Sequence, residues 1–113
     1  GPHGIAGVGT DRGRTPLAIG MVISNEPGYY LENQYGIRIE NVIVVSPSKM
    51  DGFLDFETVS LLPFDKGLID ETLLDAGEKA WINRYHTEVY DKLSVHLDES
   101  HSNWLRARCH LFG

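Results

Sequence analysis

The segment SNEPGYYLENQYGIRIEN, residues 24–41, constrains the fold of this chain more than any other. It links an apolar run, MVIS, to a second, GIRIENVIVV, through Pro-Gly turn chemistry and three tyrosines. The two runs therefore read as strands of one hairpin. A loop centred near Asn33 sets an antiparallel register in which position 26 faces position 40, and both are glutamates. Directly opposed side chains in such a pair have Cβ atoms about 4.5–5.5 Å apart. Along the second run Ile37, Ile39, Asn41, Ile43 and Val45 share one face, while Arg38, Glu40, Val42 and Val44 share the other. Both faces turn apolar towards the end of the run, which predicts a sheet-interior strand with little water at Glu40.

Two ionised carboxylates at that range repel, and burial raises the cost. A shared proton, an arginine or a metal cation would relieve the repulsion. Arg38, two positions from Glu40 on the same face, offers a salt bridge. Two hard oxygen donors on rigid strands equally suit Mn²⁺, Mg²⁺ or Co²⁺, and one carboxylate can bridge two ions. A carboxylate dyad for glycoside chemistry lacks supporting sugar-binding aromatics. Spacing alone leaves the ion pair and the metal site both open.

Composition narrows the classes. The 113 residues, 42% hydrophobic and 23% charged, are those of an ordinary globular chain, one small domain or part of a larger one. A formal charge of −6 and the absence of a basic stripe argue against a nucleic-acid surface. No apolar run approaches the ~20 residues that span a bilayer, so no membrane partner is expected. Cys109 is the only cysteine, which excludes an intrachain disulfide and fits a reducing cytoplasm.

The expected organisation over residues 1–113 is loop over 1–20, strands over 21–64 and helices over 69–113. Within the first part, VGTDRGRT lacks the G-x-G-x-x-G spacing and follows no strand, so it reads as a surface loop. Strands are predicted at 21–25, 36–46 and 53–64, the last ended by Pro63. Leu74, Trp81, Tyr85, Val89, Leu93 and Leu97 form an amphipathic stripe, and Asp75 with Glu78 forms a capping-box variant at its start. A shorter helix over 102–108 closes the chain. The fold class is α/β, α+β in local order.

With GMVISNEPGYY, YGIRIENVIVV, FETVSLLPFDKGLID and WINRYH in family order over most of residues 17–97, the chain resembles the C-terminal part of the Xaa-Pro aminopeptidases, metallopeptidases of the pita-bread fold. The resemblance implies a curved antiparallel sheet segment packed by C-terminal helices. It implies two divalent metal ions, usually Mn²⁺ with Co²⁺ or Zn²⁺ possible, for which Glu26 and Glu40 match two of five ligands. The matched Glu40 bridges both ions. The matched Glu26 also shuttles a proton for a metal-bridged hydroxide that attacks the carbonyl preceding proline. Arg38 matches an arginine beside the site that orients carboxylates, and Tyr29 and Tyr30 are candidates for lining the substrate cleft. The family's remaining ligands, two Asp and one His, lie upstream of this sequence, so the isolated chain is expected to be inactive.

Gly1-Pro2 matches the tail of the family's HEGP motif or a scar of tag removal. Implied partners are a proline-containing peptide, the missing N-terminal part of the same cytoplasmic enzyme and, for the parent, a second copy as homodimer. The alternatives are a ligand-deficient peptide-binding module of the same fold and a prolidase acting on Xaa-Pro dipeptides. FETVSLLPFD and WINRYH favour the aminopeptidase over the prolidase. Outside these motifs, His86, Trp81, Tyr85 and Trp104 read as packing residues, and His96, His101, His110 and Cys109 lack structural-zinc spacing.

Overall fold

The computed structural model describes residues 3–4, 9 and 12–113, with His3, Gly4 and Arg12 described by backbone alone. The readings of Gly1-Pro2, and of VGTDRGRT as a whole, lie outside the described residues. The chain divides into two units, Gly1–Ser60 and Leu61–Gly113.

The first unit is built on the hairpin. Its turn closes through Gln34 N–H donating to Leu31 C=O at 3.0 Å, and Asn33 takes a positive φ of 58° that Asn tolerates better than most residues. Two ladders run back from this turn: β3 (Gly28–Leu31) pairs with β4 (Tyr35–Arg38), and β2 (Val22–Asn25) pairs with β5 (Asn41–Pro47). Gly28 opposes Arg38 and Asn25 opposes Asn41, so both ladders keep one register with no inserted residue. Strand β5 pairs on its other side with β6 (Leu54–Thr58), and a two-residue strand β1 (His3–Gly4) lies parallel to β2. The sheet order is β1-β2-β5-β6. Ile23, Ile43 and Val45 are its buried core.

The run read as a single strand over 36–46 is interrupted at Ile39 and Glu40. The physical reason lies across the hairpin: Ile39 N–H donates to Pro27 C=O at 3.1 Å, but Pro27 has no N–H to return the bond. The break falls between the two ladders, at the level of Glu26 and Glu40. Residues 1–20, expected as loop, contribute the parallel strand β1 and a 3₁₀ turn, Arg12–Arg14.

In the second unit, three aspartates five residues apart each start a helical turn. Asp65 and Asp70 accept from Gly67 and Thr72 N–H at 3.0 Å and cap two 3₁₀ turns, Lys66–Leu68 and Glu71–Leu73. Asp75 caps α1 (Ala76–Ser94) with a reciprocal capping box: Glu78 N–H donates to Asp75 at 2.8 Å, and Asp75 N–H donates to Glu78 at 2.9 Å. Asp98 caps α2 (Glu99–Arg108). Tyr85 and Val89 of α1 pack against Leu105 of α2 and Cys109, with Leu61, Phe64, Tyr90 and Leu93 around them.

The helical stripe is wider than the sevens and fours suggested. Ile82 and His86 join Tyr85 and Val89 on the buried face, while Leu74 and Leu97 fall outside the helix. The WINRYH stretch works as a clasp. Asn83 holds Phe112 by two bonds, donating to its C=O at 2.9 Å and accepting from its N–H at 2.7 Å. The Tyr85 hydroxyl donates to Leu62 C=O at 2.9 Å. The fully buried His86 accepts from Phe64 N–H at Nε2 and meets His110 C=O with Nδ1, each at 3.1 Å. Those partners require the neutral Nδ1–H tautomer, a structural role that leaves no free ring nitrogen.

Candidate metal centre

Continuing the common register of the two ladders places Glu26 opposite Glu40. By strand alternation Glu26, Gly28 and Tyr30 share one face of the hairpin with Gly36, Arg38 and Glu40. Arg38 lies at the centre of this group. Its Nε donates to the Tyr30 hydroxyl at 2.8 Å, and its guanidinium carbon lies 5.9 Å from the Tyr30 ring centroid. Its Nη1 stands 3.8 Å from a Glu40 carboxylate oxygen. The hydrogen bond to Tyr30, followed by the charges of Tyr30, Glu26 and Glu40, raises the Arg38 pKa above its ordinary value.

Two glycines make this arrangement possible. A Cβ at Gly28 would stand 2.6 Å from the Tyr30 hydroxyl oxygen and 2.9 Å from Ile37 C=O. A Cβ at Gly36 would stand 2.7 Å from Tyr30 Cδ1. Tyr30 therefore lies flat over the two glycines, in a slot that any larger residue would fill, and its hydroxyl reaches Arg38 from there. Sequence reasoning singled out Tyr30 but not the glycines, because their effect depends on where the Tyr30 ring lies, over Gly28 of its own strand and Gly36 of the neighbouring one.

The predicted residues are not all gathered together. Tyr29 projects from the opposite face, where it approaches Tyr35 at 6.2 Å between ring centroids. It does not share the face of the carboxylates. Glu40 was expected where water is limited, yet its side chain keeps 43% of its surface accessible, and Arg38 keeps 50%. Among the described residues no element covers this face closely enough to bury it. The bland remedy for two opposed carboxylates, the Arg38 salt bridge, is present but long.

The donor set suits a hard cation. Neither carboxylate accepts a hydrogen bond from the described residues, so their oxygens face solvent with Arg38 as the neighbouring cation. Two carboxylates do not complete a coordination sphere. Among the described residues no group of three or more His, Cys, Asp or Glu is placed to hold a metal ion. A complete centre built here needs further donors. Trp104, expected as an apolar anchor, is instead 57% exposed beneath the Arg108 guanidinium at 5.5 Å.

Residues 52–112 match the profile of the C-terminal region of peptidase M24, and residues 2–47 match that of metallopeptidase family M24. A protein of Laccaria bicolor named probable Xaa-Pro aminopeptidase P is 44% identical over 96% of this chain and 18% of its own length. One of the same name from Coprinopsis cinerea is 46% identical over 94% of this chain and 18% of its own. The crystal structure of an X-prolyl aminopeptidase from Caenorhabditis elegans, described as a cytosolic enzyme with a di-nuclear active site, superposes with a TM-score of 0.77. It is 31% identical and covers 85% of this chain and 17% of its own. The chain thus spans less than a fifth of the length of these relatives, and its mixed sheet and two helices are the C-terminal part of their pita-bread fold. It belongs to the metallopeptidase family M24.

Proposed function

We propose that this chain is the C-terminal part of a dinuclear-metal aminopeptidase that hydrolyses the N-terminal Xaa-Pro bond, with Glu26 and Glu40 as two of its metal ligands. The observation that carries the reading is the unbroken register that sets Glu26 against Glu40, with Arg38 on the same face 3.8 Å from Glu40. Relatives named for this activity over nearly the whole chain add to it. Two divalent cations, Mn²⁺ foremost and Co²⁺ or Zn²⁺ otherwise, would activate water and polarise the scissile carbonyl. The chain's own residues orient and move protons. Glu26 takes up a proton at a carboxylate oxygen and returns it to the leaving proline nitrogen. Glu40 would serve as a ligand to the cations, and Arg38, hydrogen-bonded to Tyr30, would orient its carboxylate.

Tyr30, on the carboxylate face, is the better candidate of the two tyrosines for bordering the substrate. The remaining ligands come from the longer enzyme, which works as a homodimer on proline-containing peptides in the cytoplasm. The cytosolic relative and the lone Cys109 fit that compartment. No specific observation favours the ligand-deficient binding module or the prolidase.

The test is hydrolysis of a tripeptide with proline second by the complete enzyme containing this segment. Glu40→Gln is expected to abolish turnover, and Arg38→Ala to lower kcat about 10–100-fold with KM little changed. The 113-residue chain alone should cleave nothing. Full turnover by Glu40→Gln, or peptide cleavage by the bare chain, would sink the reading.

A further inference from the structure

The second unit carries a groove with no part in this chemistry. Leu62, Phe64 and Lys66 form one side and Trp104, Arg108 and His110 the other, enclosing about 670 Å³. It is open and partly apolar: Leu62 is 71% exposed and Trp104 57%. Single exposed apolar residues are ordinary, but two facing one groove are less so.

Its charge runs against the rest of the molecule. The chain carries a formal −6. Yet the groove places two cations, Lys66 and Arg108, beside the apolar surface, with Asp65 as the one acid among its lining residues. Asp65 is already engaged, accepting Gly67 N–H at 3.0 Å as a cap. Among the described residues no carboxylate pairs with Arg108. Its guanidinium carbon lies 5.5 Å from the Trp104 ring centroid, a cation–π contact that uses the face of the guanidinium and none of its N–H donors. Lys66 stands 3.8 Å from a Glu71 carboxylate oxygen and 4.8 Å from the Phe112 ring centroid, contacts that leave N–H donors for a further carboxylate. Arg108 does favour the C-terminal end of α2, as any cation there would. That does not account for its seat on an exposed indole in a groove that Lys66 also lines.

We propose that this groove docks an acidic protein segment carrying one large apolar side chain. The apolar side chain packs between Leu62 and Trp104, and flanking carboxylates pair with Arg108 and Lys66. A fixed guanidinium edge matches a carboxylate by two parallel hydrogen bonds. An apolar anchor rimmed by complementary charge is how short segments gain specificity at small interfaces. The proposal is independent of the metal site.

The probe is a fluorescein-labelled peptide, Asp-Glu-Asp-Leu-Phe-Asp-Glu, titrated with the 113-residue chain and followed by anisotropy. Saturable binding is expected, weakened about tenfold or more by Arg108→Glu and by Trp104→Ala. It should also weaken several-fold between about 50 and 500 mM salt. Arg84→Glu, on the far side of α1, should leave binding unchanged. Helical circular dichroism checks that each variant folds, with Arg108→Gln as the milder substitute should Arg108→Glu unfold. Absence of saturation at millimolar chain, equal binding by Arg108→Glu, or equal weakening by Arg84→Glu would overturn the proposal. Sedimentation at the same concentrations covers the other occupant: self-association abolished by Arg108→Glu would assign the groove to a second copy and likewise overturn it.

Discussion

Tyr30 lies across two glycines, and the position of Arg38 depends on that. At Gly36 an added methyl would meet the Tyr30 ring at 2.7 Å, well inside contact distance. The ring has to leave, and the Arg38 hydrogen bond leaves with it. Gly36→Ala should cost about 1–3 kcal/mol in urea unfolding, with Tyr30→Ala in the same background recovering part of the loss. An unchanged midpoint would mean that Tyr30 is not held where the hairpin puts it. His86 gives a second test at this scale. Removing its ring leaves Phe64 N–H and His110 C=O unpartnered in a buried place. His86→Ala should therefore cost about 2–4 kcal/mol. A loss within experimental error would show that water replaces the ring, and that the histidine is not the pin of the clasp.

Among the elements, α2 gives the clearest dependence on pH. Asp98 caps the helix by accepting His101 N–H at 2.9 Å, and it also meets His101 Nδ1 at 2.8 Å. The backbone bond first, then the side-chain bond, lower its pKa from the ordinary value of 3.8. A carboxyl depressed in the folded state contributes stability that is fully present above its unfolded pKa and lost as pH falls through the folded one. Stability should therefore fall on acidification below about pH 4. Asp70, lowered by its bonds to Thr72, contributes with the same sign. Asp98→Asn keeps a capping oxygen but cannot titrate, so its unfolding free energy should fall less steeply with acid. Identical slopes for the two proteins would remove Asp98 from the account.

The elements also mark how far sequence reading reached. The capping box at Asp75 and Glu78 was legible because it needs only residues three apart. The same logic at Asp65 and Asp70 was there to be read at a spacing of five, but no long apolar period follows to announce a helix. The break between β4 and β5 was missed because its cause, Pro27, stands in the partner strand.

At the scale of the whole molecule, each unit has its own buried cluster, Ile23, Ile43 and Val45 in one and Tyr85, Val89, Leu105 and Cys109 in the other. Neither brings a third metal-binding side chain to the two glutamates among the described residues. Calorimetric titration with Mn²⁺ should find no site tighter than about 0.1 mM, because two carboxylates leave most of a six-oxygen sphere to water. Tight one-to-one binding that vanishes in Glu40→Ala would require further ligands from this chain or from a second copy.

The register that sets Glu26 opposite Glu40, and the place of Arg38 beside Glu40 on one face, were determined by the sequence alone. Strand alternation and a turn at Asn33 are local rules, and one register follows from them over the whole hairpin. What the tertiary structure decided was everything that depends on which surface lies opposite. The carboxylates stand in solvent, the Tyr30 hydroxyl reaches Arg38 across the glycines, and Trp104 lies open under Arg108. Burial is a property of neighbours brought from far along the chain, and no period in a sequence specifies them.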